Sequence, residues 1–210
     1  MKSNNLTEPK KILFINEKGG VGKTTLVDEM CFEAEAKGIP YSLHNLDPQG
    51  TLLHEPHNSE GAWLDFIDTP GRLQEKVKDY MNEADVIVIP TDMTQNCMSS
   101  LTLMIGLARV PQADGKAVLV VLNRWDGGIA CEEFQEWFNR ITDNGGDITK
   151  SIPGIQISRS VNFANARMYG QSVHQYRRRC KSAKEIEELF FYILEAADLY
   201  DRYMMERKQK

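Results

Sequence analysis

The amino-acid sequence predicts an α/β fold in which one doubly wound, mostly parallel sheet carries helices on both faces. Short, continuous apolar runs at residues 12–15, 86–90 and 117–122 alternate with longer segments of helical periodicity. Continuous apolar runs of this length are typical of parallel strands that are buried on both faces. Several of these strands are followed by glycine-containing turns with charged side chains. Ligands of open α/β sheets bind at the carboxyl ends of the strands, so these turns form the predicted site.

Length and composition favour one cytoplasmic domain. With 210 residues, 41% of them hydrophobic, the chain is long enough for one sizeable core. We expect a polar tail at residues 1–10 and a single domain at residues 11–210. The four cysteines are scattered without a C-x-x-C pair, which indicates neither a zinc site nor a disulfide framework. The N-terminus resembles no secretory signal, and no apolar run approaches the ~20 residues that span a bilayer.

The first strand is followed by the glycine-rich turn N-E-K-G-G-V-G-K-T-T at residues 16–25. Its successive backbone N–H groups can form a concave nest for phosphate oxygens, and the next helix points its positive end at the same charge. In such a loop Lys23 bridges the β- and γ-phosphates, and the Thr24 hydroxyl reaches Mg²⁺. The strict pattern G-x-x-x-x-G-K-[ST] fails, however, because Glu17 stands five residues before Gly22.

The segment from Lys18 to Thr25 resembles the deviant Walker A loop of the ParA/MinD superfamily of ATPases. The resemblance implies a P-loop NTPase fold, ATP and Mg²⁺ as cofactors, and a homodimer that forms on ATP binding. It also implies that Lys18 crosses the dimer interface to the nucleotide of the partner. The residues it assigns to the nucleotide are Gly19, Gly20, Val21, Gly22, Lys23, Thr24 and Thr25.

A helix is predicted at residues 23–37 and a second strand at residues 41–46, which ends in D-P-Q-G at residues 47–50. This element matches one in ParA-type ATPases, where the aspartate positions or activates the attacking water. The resemblance therefore makes Asp47 catalytic, together with Lys18 and Lys23. An ordinary turn would also use these residue types. The family usually has an acidic residue where this chain has Asn45.

The polar segment at residues 51–61 is predicted to be a solvated loop, shorter than its counterpart in the family. His54, Glu55 and His57 are of residue types that bind metals, but a solvated loop is favoured over a metal site because no regular element is predicted to hold them in place.

A third strand beginning at residue 63 ends in D-T-P-G at residues 68–71. An aspartate at this place holds Mg²⁺ through water as the Walker B residue, and the following T-P-G can sense the γ-phosphate as a switch. Asp68 is the predicted residue. Asp65, within the strand, is expected to be structural or exposed.

The next elements are a polar helix at residues 72–83, a strand at 85–90, a helix at 91–109 and a strand at 116–122. The last strand runs into N-R-W-D, which resembles the guanine-reading N-K-x-D of GTPases. A GTP-dependent switch is therefore an alternative that involves Asp126. ATP is favoured because a small GTPase needs neither Lys18 nor D-P-Q-G. In the ParA/MinD group an asparagine at this strand end commonly reads adenine, which assigns Asn123 to the base.

An amphipathic helix at residues 130–142, a break at 143–147 and a core strand at 153–157 complete the predicted sheet. Residues 158–173 then resemble the family's stretch with an arginine, a small helix and a G-x-S-V turn. The resemblance thus covers most of the chain.

Charge is unevenly distributed along the chain. The formal net charge is −5, yet residues 148–184 contain eight Lys or Arg and no Asp or Glu. A basic surface of this kind binds DNA phosphates without reading bases, although a solvated cationic loop has the same composition. In ParA-type ATPases the ATP-bound dimer binds DNA through C-terminal basic residues. The residues predicted to do so here are Arg177, Arg178, Arg179, Lys181 and Lys184.

A C-terminal helix is predicted at residues 182–207. MinD-like relatives end in an amphipathic helix that binds membrane, but the polar face of this helix is acidic, so packing against the sheet is favoured. The resulting hypothesis is a ParA-like partition ATPase that is stimulated by a ParB-like partner and associates with the nucleoid when ATP is bound. A MinD-like or cargo-positioning ATPase, a GTP-dependent switch and a metabolic P-loop kinase remain alternatives.

Overall fold

The structure, a computed structural model, describes residues 8–71, 76–127, 129–143 and 152–209. Its sheet has six strands in the order β2-β3-β1-β4-β5-β6, and every neighbouring pair is parallel. The predicted doubly wound parallel sheet is therefore confirmed. The strands are β1 (Lys10–Phe14), β2 (Tyr41–Asn45), β3 (Leu64–Asp68), β4 (Val86–Thr91), β5 (Ala117–Trp125) and β6 (Gly154–Ser158).

Helices cover both faces of the sheet. They are α1 (Lys23–Lys37), α2 (Val77–Glu83), α3 (Gln95–Ala113), α4 (Ile129–Thr142), α5 (Val161–Met168), α6 (Val173–Tyr176), α7 (Lys181–Ala196) and α8 (Tyr200–Arg207). One core lies between the sheet and α1, α7 and α8, and the other lies between the sheet and α2, α3 and α4. None of the helices in the described ranges is long and apolar enough to span a bilayer.

Strand β1 lies inside the sheet, and the apolar run that begins at Ile12 has buried side chains on both faces. Ile12 and Phe14 join the core under α1, whereas Leu13 and Ile15 join the opposite core, and all four are fully buried. The chain continues from β1 to β2 and β3 on one side, and β4, β5 and β6 lie on the other. The strand order thus reverses beside β1, and a cleft forms where the strands on either side diverge. The glycine-rich turn that follows β1 lies at this position.

The helix predicted at residues 91–109 is displaced in the structure. Thr91 is the last residue of β4, and α3 begins only at residue 95 and extends to residue 113. The delay arises because Asp92 Oδ1 accepts hydrogen bonds from both N and Oγ1 of Thr94, which forms a turn before the helix. Pro111 is accommodated in the last turn of α3, where few residues follow that need a regular helix.

The strand predicted to end at residue 122 continues to Trp125. Its pairing with β6 shifts register between Asn123 and Trp125, and Arg124 between them has a φ of 58°. This irregularity of the β-bulge type keeps the strand paired beyond its apolar run.

The predicted C-terminal helix is two helices, α7 and α8. The break lies at Asp198, which has a φ of 58°, and the backbone N–H of Leu199 returns to Leu194 O at 2.8 Å. Leu199 is buried, which explains why the chain turns here rather than continuing straight. The apolar face of α7 packs against the sheet as expected.

Some predictions fall partly outside the described residues. These are the polar tail at residues 1–10, the start of the helix at residue 72, the break at 143–147 and the first cation of the basic stretch, Lys150.

Candidate functional site

The glycine-rich turn between β1 and α1 has a backbone that only glycine adopts readily. Gly20 and Gly22 have φ angles of 77° and 100°. A Cβ atom at Gly22 would also collide with the side-chain amide nitrogen of Asn123. Gly22 is therefore required both for its backbone conformation and for a close approach to β5.

Lys23 lies beneath this turn at the start of α1 and is 6% exposed. Its Nζ donates hydrogen bonds to the backbone oxygens of Asn16 at 3.0 Å and Lys18 at 3.2 Å. Burial lowers the pKa of Lys23, and the negative charges of Asp68 and Asp47 oppose this effect. The ammonium is thus held by the same turn whose backbone is predicted to bind phosphate.

Asn16 anchors the turn to the rest of the sheet, a role that the sequence did not reveal. Its Nδ2 donates to Pro90 O at 2.8 Å, and its Oδ1 accepts from Lys18 N at 2.9 Å and from Ser100 Oγ at 2.7 Å. The side chain is fully buried. The signal was a polar residue directly after the apolar run of the central strand.

Asp68 and Thr24 form the polar pair at the end of β3. Thr24 Oγ1 donates to Asp68 Oδ2 at 2.7 Å, whereas the buried Oδ1 of Asp68 has no hydrogen-bond partner in the described part of the chain. Burial raises the pKa of Asp68 to about 6, and both Thr24 and Lys23 oppose the rise. A buried oxygen without a partner is costly. A hydroxyl beside a carboxylate with a free oxygen fits Mg²⁺, which prefers oxygen ligands.

The T-P-G residues after Asp68 pack directly on the glycine-rich turn. Thr69 Oγ1 donates to Phe14 O at 2.8 Å. A Cβ atom at Gly71 would lie 3.0 Å from Gly19 Cα, a tighter contact than most real Cβ atoms make. The two turns are therefore in contact, as a switch that reports on bound phosphate would require.

Asp65, earlier on β3, is structural. Its Oδ1 lies 2.6 Å from His44 Nε2 on the neighbouring strand β2. Burial raises the pKa of Asp65, and the charge of His44 opposes the rise. The pair links β2 to β3.

Asp47 lies in a tight turn after β2. Asp47 N donates to Asn45 Oδ1 at 2.8 Å, and Asp47 Oδ1 accepts from Gln49 N at 2.9 Å. Leu46 N donates to Asp68 O at 2.9 Å, which joins this turn to the end of β3. Asn45, the departure from the family pattern, therefore shapes the turn that carries Asp47.

Lys18 and Asp47 line one cavity of about 700 Å³ between the three turns. The structure thus brings together two of the three predicted catalytic residues, and Lys23 contacts the backbone of Lys18 from α1. The lining residues are Glu17, Lys18, Gly19, Asp47, Pro48, Gln49, Pro70 and Gly71.

A second cavity of about 610 Å³ lies on the other side of the glycine-rich turn. Gly22 and Thr25 line it from the turn and α1, Asn123 lines it from β5, and residues 158–167 contribute its remaining wall. Asn123 Nδ2 donates to Val21 O at 2.9 Å, so this amide holds the turn in place. Its contact with a base stays a prediction.

The segment after the Asp47 turn is more firmly held than a solvated loop. His54 Nδ1 lies 2.9 Å from Asp28 Oδ1, and the backbones of Leu43 and His57 exchange hydrogen bonds of 2.8 and 3.0 Å. The segment is a mostly exposed loop, as expected, but hydrogen bonds to Asp28 hold part of it in place, which the sequence did not predict. The buried carboxylate of Asp28 supplies the scaffold, because it needs hydrogen-bond donors from this segment.

The predicted DNA-binding residues lie away from these turns, between α6 and α7 and at the start of α7. All five are exposed. In the described ranges Arg177, Arg178 and Arg179 form no ion pair, whereas Lys181 lies 3.5 Å from Glu185. Arg178 also lines a third cavity of about 600 Å³. These exposed cations lie close together along the chain, at residues 177–184. Their contact with DNA stays a prediction.

The parallel sheet and its glycine-rich turn define a P-loop NTPase fold. Residues 12–173 match the family described as the CobQ/CobB/MinD/ParA nucleotide binding domain, and the chain belongs to this family. The resemblance to the ParA/MinD superfamily of ATPases is thereby confirmed. A search among curated proteins finds no significant match.

Solved structures of several family members are similar in fold. McdA of Cyanothece in complex with ATP is 16% identical with a TM-score of 0.65, and the match covers 91% of this chain and 97% of that one. MinD of Pyrococcus horikoshii, complexed with Mg-ADP, is 16% identical with a TM-score of 0.63 and coverages of 89% and 96%. A plasmid partition protein of Borrelia burgdorferi bound to AMPPNP is 14% identical with a TM-score of 0.59 and coverages of 88% and 99%. At these identities the similarity shows the fold alone.

Proposed function

We propose that this protein is a Mg²⁺-dependent ATPase that dimerises on binding ATP and then binds DNA without sequence preference. The observation that carries the proposal is the placement of Lys18 and Asp47 on one cavity, beside Thr24 and the partly unsatisfied carboxylate of Asp68. In this account slow hydrolysis releases the DNA and is accelerated by a ParB-like adaptor. The biological use is partition of a plasmid or chromosome, with the cytoplasmic protein on the nucleoid when ATP is bound.

The phosphates of ATP are bound by the glycine-rich turn. The backbone N–H groups of Gly19, Gly20 and Gly22 and the N-terminus of α1 supply positive potential. Lys23 supplies a full positive charge from below the turn, and exchanges its contacts with backbone oxygens for phosphate oxygens.

Thr24 and Asp68 are the residues that would hold Mg²⁺, the latter through water. When bound, the ion neutralises charge on the β- and γ-phosphates. Asp68 must be ionised in this role. Its pKa of about 6 lies below neutral pH, so most of the carboxyl is ionised there and can bind a cation.

Asp47 orients the attacking water, and Lys18 acts on a second copy of the chain. The hydrogen bonds of the Asp47 turn fix the position of its carboxylate relative to β3. The ammonium of Lys18 forms no hydrogen bond or ion pair within the described residues, so it is available to the nucleotide of a partner subunit. Hydrolysis then depends on dimerisation.

The exposed cations Arg177, Arg178, Arg179 and Lys184 are the proposed DNA contacts, with Lys181 partly neutralised by Glu185. All four are exposed and form no ion pair within the described ranges. Such side chains suit contacts to phosphates, which position a protein on DNA but read no sequence.

A second candidate is an ATPase that positions a protein cargo or the division site. The fold does not separate the two candidates, because the MinD and McdA structures and the partition protein share it. Both candidates use the same nucleotide site, and binding to DNA or lipid separates them.

The test is retention of duplex DNA by the purified protein with ATP, ADP or GTP in the presence of Mg²⁺. We expect retention only with ATP, with loss as salt concentration rises. Retention that is equal with all three nucleotides, or absent in the presence of ATP while vesicles are bound, would overturn the partition function. Tighter binding of GTP than of ATP, dependent on Asp126, would instead favour the GTP-dependent switch.

A further inference from the structure

Asp28 on α1 joins three separate parts of the molecule through one buried carboxylate. The residue is 2% exposed. Its oxygens accept hydrogen bonds from Leu53 N at 2.9 and 3.1 Å and from His54 N at 3.2 Å. They also contact His54 Nδ1 at 2.9 Å and Arg167 Nη1 at 2.7 Å. Asp28 therefore fixes both the segment after the Asp47 turn and a side chain from α5.

Arg167 faces two sites at once. Besides its bond to Asp28, its Nη2 lies 3.4 Å from Thr51 Oγ1, in the segment after the Asp47 turn. The same residue lines the second cavity, opposite Gly22 and Thr25 of the glycine-rich turn. A ligand that fills this cavity would therefore touch a side chain that contacts both Asp28 and Thr51.

Residues 51–54 follow the Asp47 turn without an intervening element. Gly50 N donates to Asp47 O at 2.9 Å, and a Cβ atom at Gly50 would lie 3.1 Å from the same oxygen. The turn is thus compact, and no flexible segment separates Thr51 from it. A change in the position of Thr51 therefore changes the position of Asp47.

We propose that Arg167 is a positioning residue that couples occupancy of the second cavity by a nucleotide base to the placement of Asp47. The inference rests on the proposed nucleotide-binding function. A base in the cavity packs against the planar guanidinium, which restricts Arg167 to the orientation that holds both Asp28 and Thr51. A triphosphate without a base occupies the glycine-rich turn but leaves Arg167 held only by Asp28 and by its longer contact with Thr51.

A purely structural role for the Asp28–Arg167 pair makes a different prediction. Loss of the pair would then loosen residues 47–54 equally whichever ligand is bound. The distinguishing quantity is the difference between a ligand with a base and a ligand without one.

The experiment is amide hydrogen exchange of the full chain with saturating Mg²⁺ and either AMPPNP or inorganic tripolyphosphate. In the wild type we expect both ligands to slow exchange at residues 16–25. AMPPNP should slow exchange at residues 47–54 about 5- to 10-fold more than tripolyphosphate, within the usual range of coupling between sites. In Arg167→Ala the two ligands should give the same exchange at residues 47–54.

Two further variants guard against misfolding and non-specific effects. Thr51→Val removes only the outer contact of Arg167 and keeps Asp28 paired, so it should fold and lose part of the difference between the ligands. Arg207→Ala, an exposed arginine on α8, should retain the full difference.

The outcomes separate this inference from the function on which it rests. Protection of residues 16–25 by both ligands, with equal exchange at 47–54 in the wild type, would overturn the coupling and leave nucleotide binding intact. An equal loss of protection with both ligands in Arg167→Ala would show a structural role only. No protection at residues 16–25 by either ligand would overturn both proposals.

Discussion

The carboxyl edge of the sheet around β1 and the basic surface between α6 and α7 carry charge in opposite ways. At the sheet edge, Lys23 and Asp68 are buried. Lys23 is held by a hydrogen bond to the backbone of Asn16, and Asp68 is held by one from Thr24. On the basic surface, Arg177, Arg178 and Arg179 are exposed and form no ion pair within the described residues. At the sheet edge each charged group is held in one position, whereas the basic surface acts through the total positive charge of its side chains.

This difference determines how each region should respond to substitution. Buried charges act in low effective dielectric, and the removal of one leaves its partners without compensation. Exposed charges are screened by salt and are individually worth little. We therefore expect single substitutions to be severe at the sheet edge and graded on the basic surface.

The largest effect is expected for Lys23→Ala. The substitution removes the charge that faces the phosphates, which should lower ATP hydrolysis by about 10²–10³-fold or more, as for other electrostatic contacts of this kind. It also leaves the backbone oxygens of Asn16 and Lys18 without their donor. Steady-state hydrolysis with saturating Mg²⁺ measures the effect, with the exposed Lys208→Ala as a matched control. Comparable activity in the two variants would contradict the role of Lys23.

Asp47→Ala should lower hydrolysis by about 10²-fold or more, the usual contribution of a group that orients or activates water. ATP binding and ATP-dependent dimerisation should be retained. Asp47→Asn preserves an acceptor for Gln49 N and hence the turn, so an equal loss in this variant assigns the effect to the carboxylate charge. Single-turnover hydrolysis with separate measurement of ATP affinity tests both variants. Normal turnover in Asp47→Ala would remove Asp47 from the mechanism.

On the basic surface, replacing Arg177, Arg178 and Arg179 together with alanine should weaken retention of DNA without altering ATP hydrolysis in its absence. Each phosphate contact contributes about 0.9 to the slope of log affinity against log salt, so the slope should fall by up to about three. Single replacements should each remove about one third of this change. An unchanged slope in the triple variant would exclude this surface as the DNA site.

The smallest effect is expected at Glu29, which lies between the two regions. Its carboxylate accepts a hydrogen bond from Val173 N at 3.0 Å at the start of α6, and burial raises the pKa of Glu29 from its ordinary value of 4.5 to about 8. Between these two pH values the folded protein keeps a proton that the unfolded chain releases, so this contribution to stability falls as pH rises. In the wild type this lowers the free energy of unfolding by about 2–3 kcal/mol between pH 6 and pH 9. Glu29→Gln cannot titrate, so its free energy of unfolding should not show this decrease. Urea unfolding of both proteins at the two pH values measures it; equal pH dependence would contradict a buried, protonated Glu29.

The positions of the turns at the sheet edge could be predicted because they depend on short, local sequence patterns. Each turn follows an apolar run, and Lys23, Thr24, Asp47 and Asp68 occupy fixed positions within short motifs. The element boundaries were less predictable. The side chain of Asp92 delays α3, and the left-handed residue Asp198 divides the C-terminal helix, yet neither residue type is distinctive by itself.

Long-range polar contacts were not predictable from the sequence. Asp28 reads as a polar position on an amphipathic helix, but its partner Arg167 lies 139 residues away. Asn16 similarly contacts Pro90 and Ser100, which belong to other elements. No sequence periodicity connects such residues. Only the folded structure shows which buried polar groups form hydrogen bonds with one another.

Lys18 is proposed to act across an ATP-dependent dimer. The direct measurement is the molar mass in solution of Asp47→Asn, with and without ATP and Mg²⁺, in the presence or absence of the additional substitution Lys18→Ala. We expect the mass of Asp47→Asn to change with ATP from one chain of 23.9 kDa to two. Replacing Lys18 as well should lower this dimer fraction, or Lys18→Ala with Asp47 intact should hydrolyse ATP more slowly in an otherwise folded protein. A mass that does not change with ATP, or dimerisation and hydrolysis that are unaffected by Lys18→Ala, would contradict this proposal.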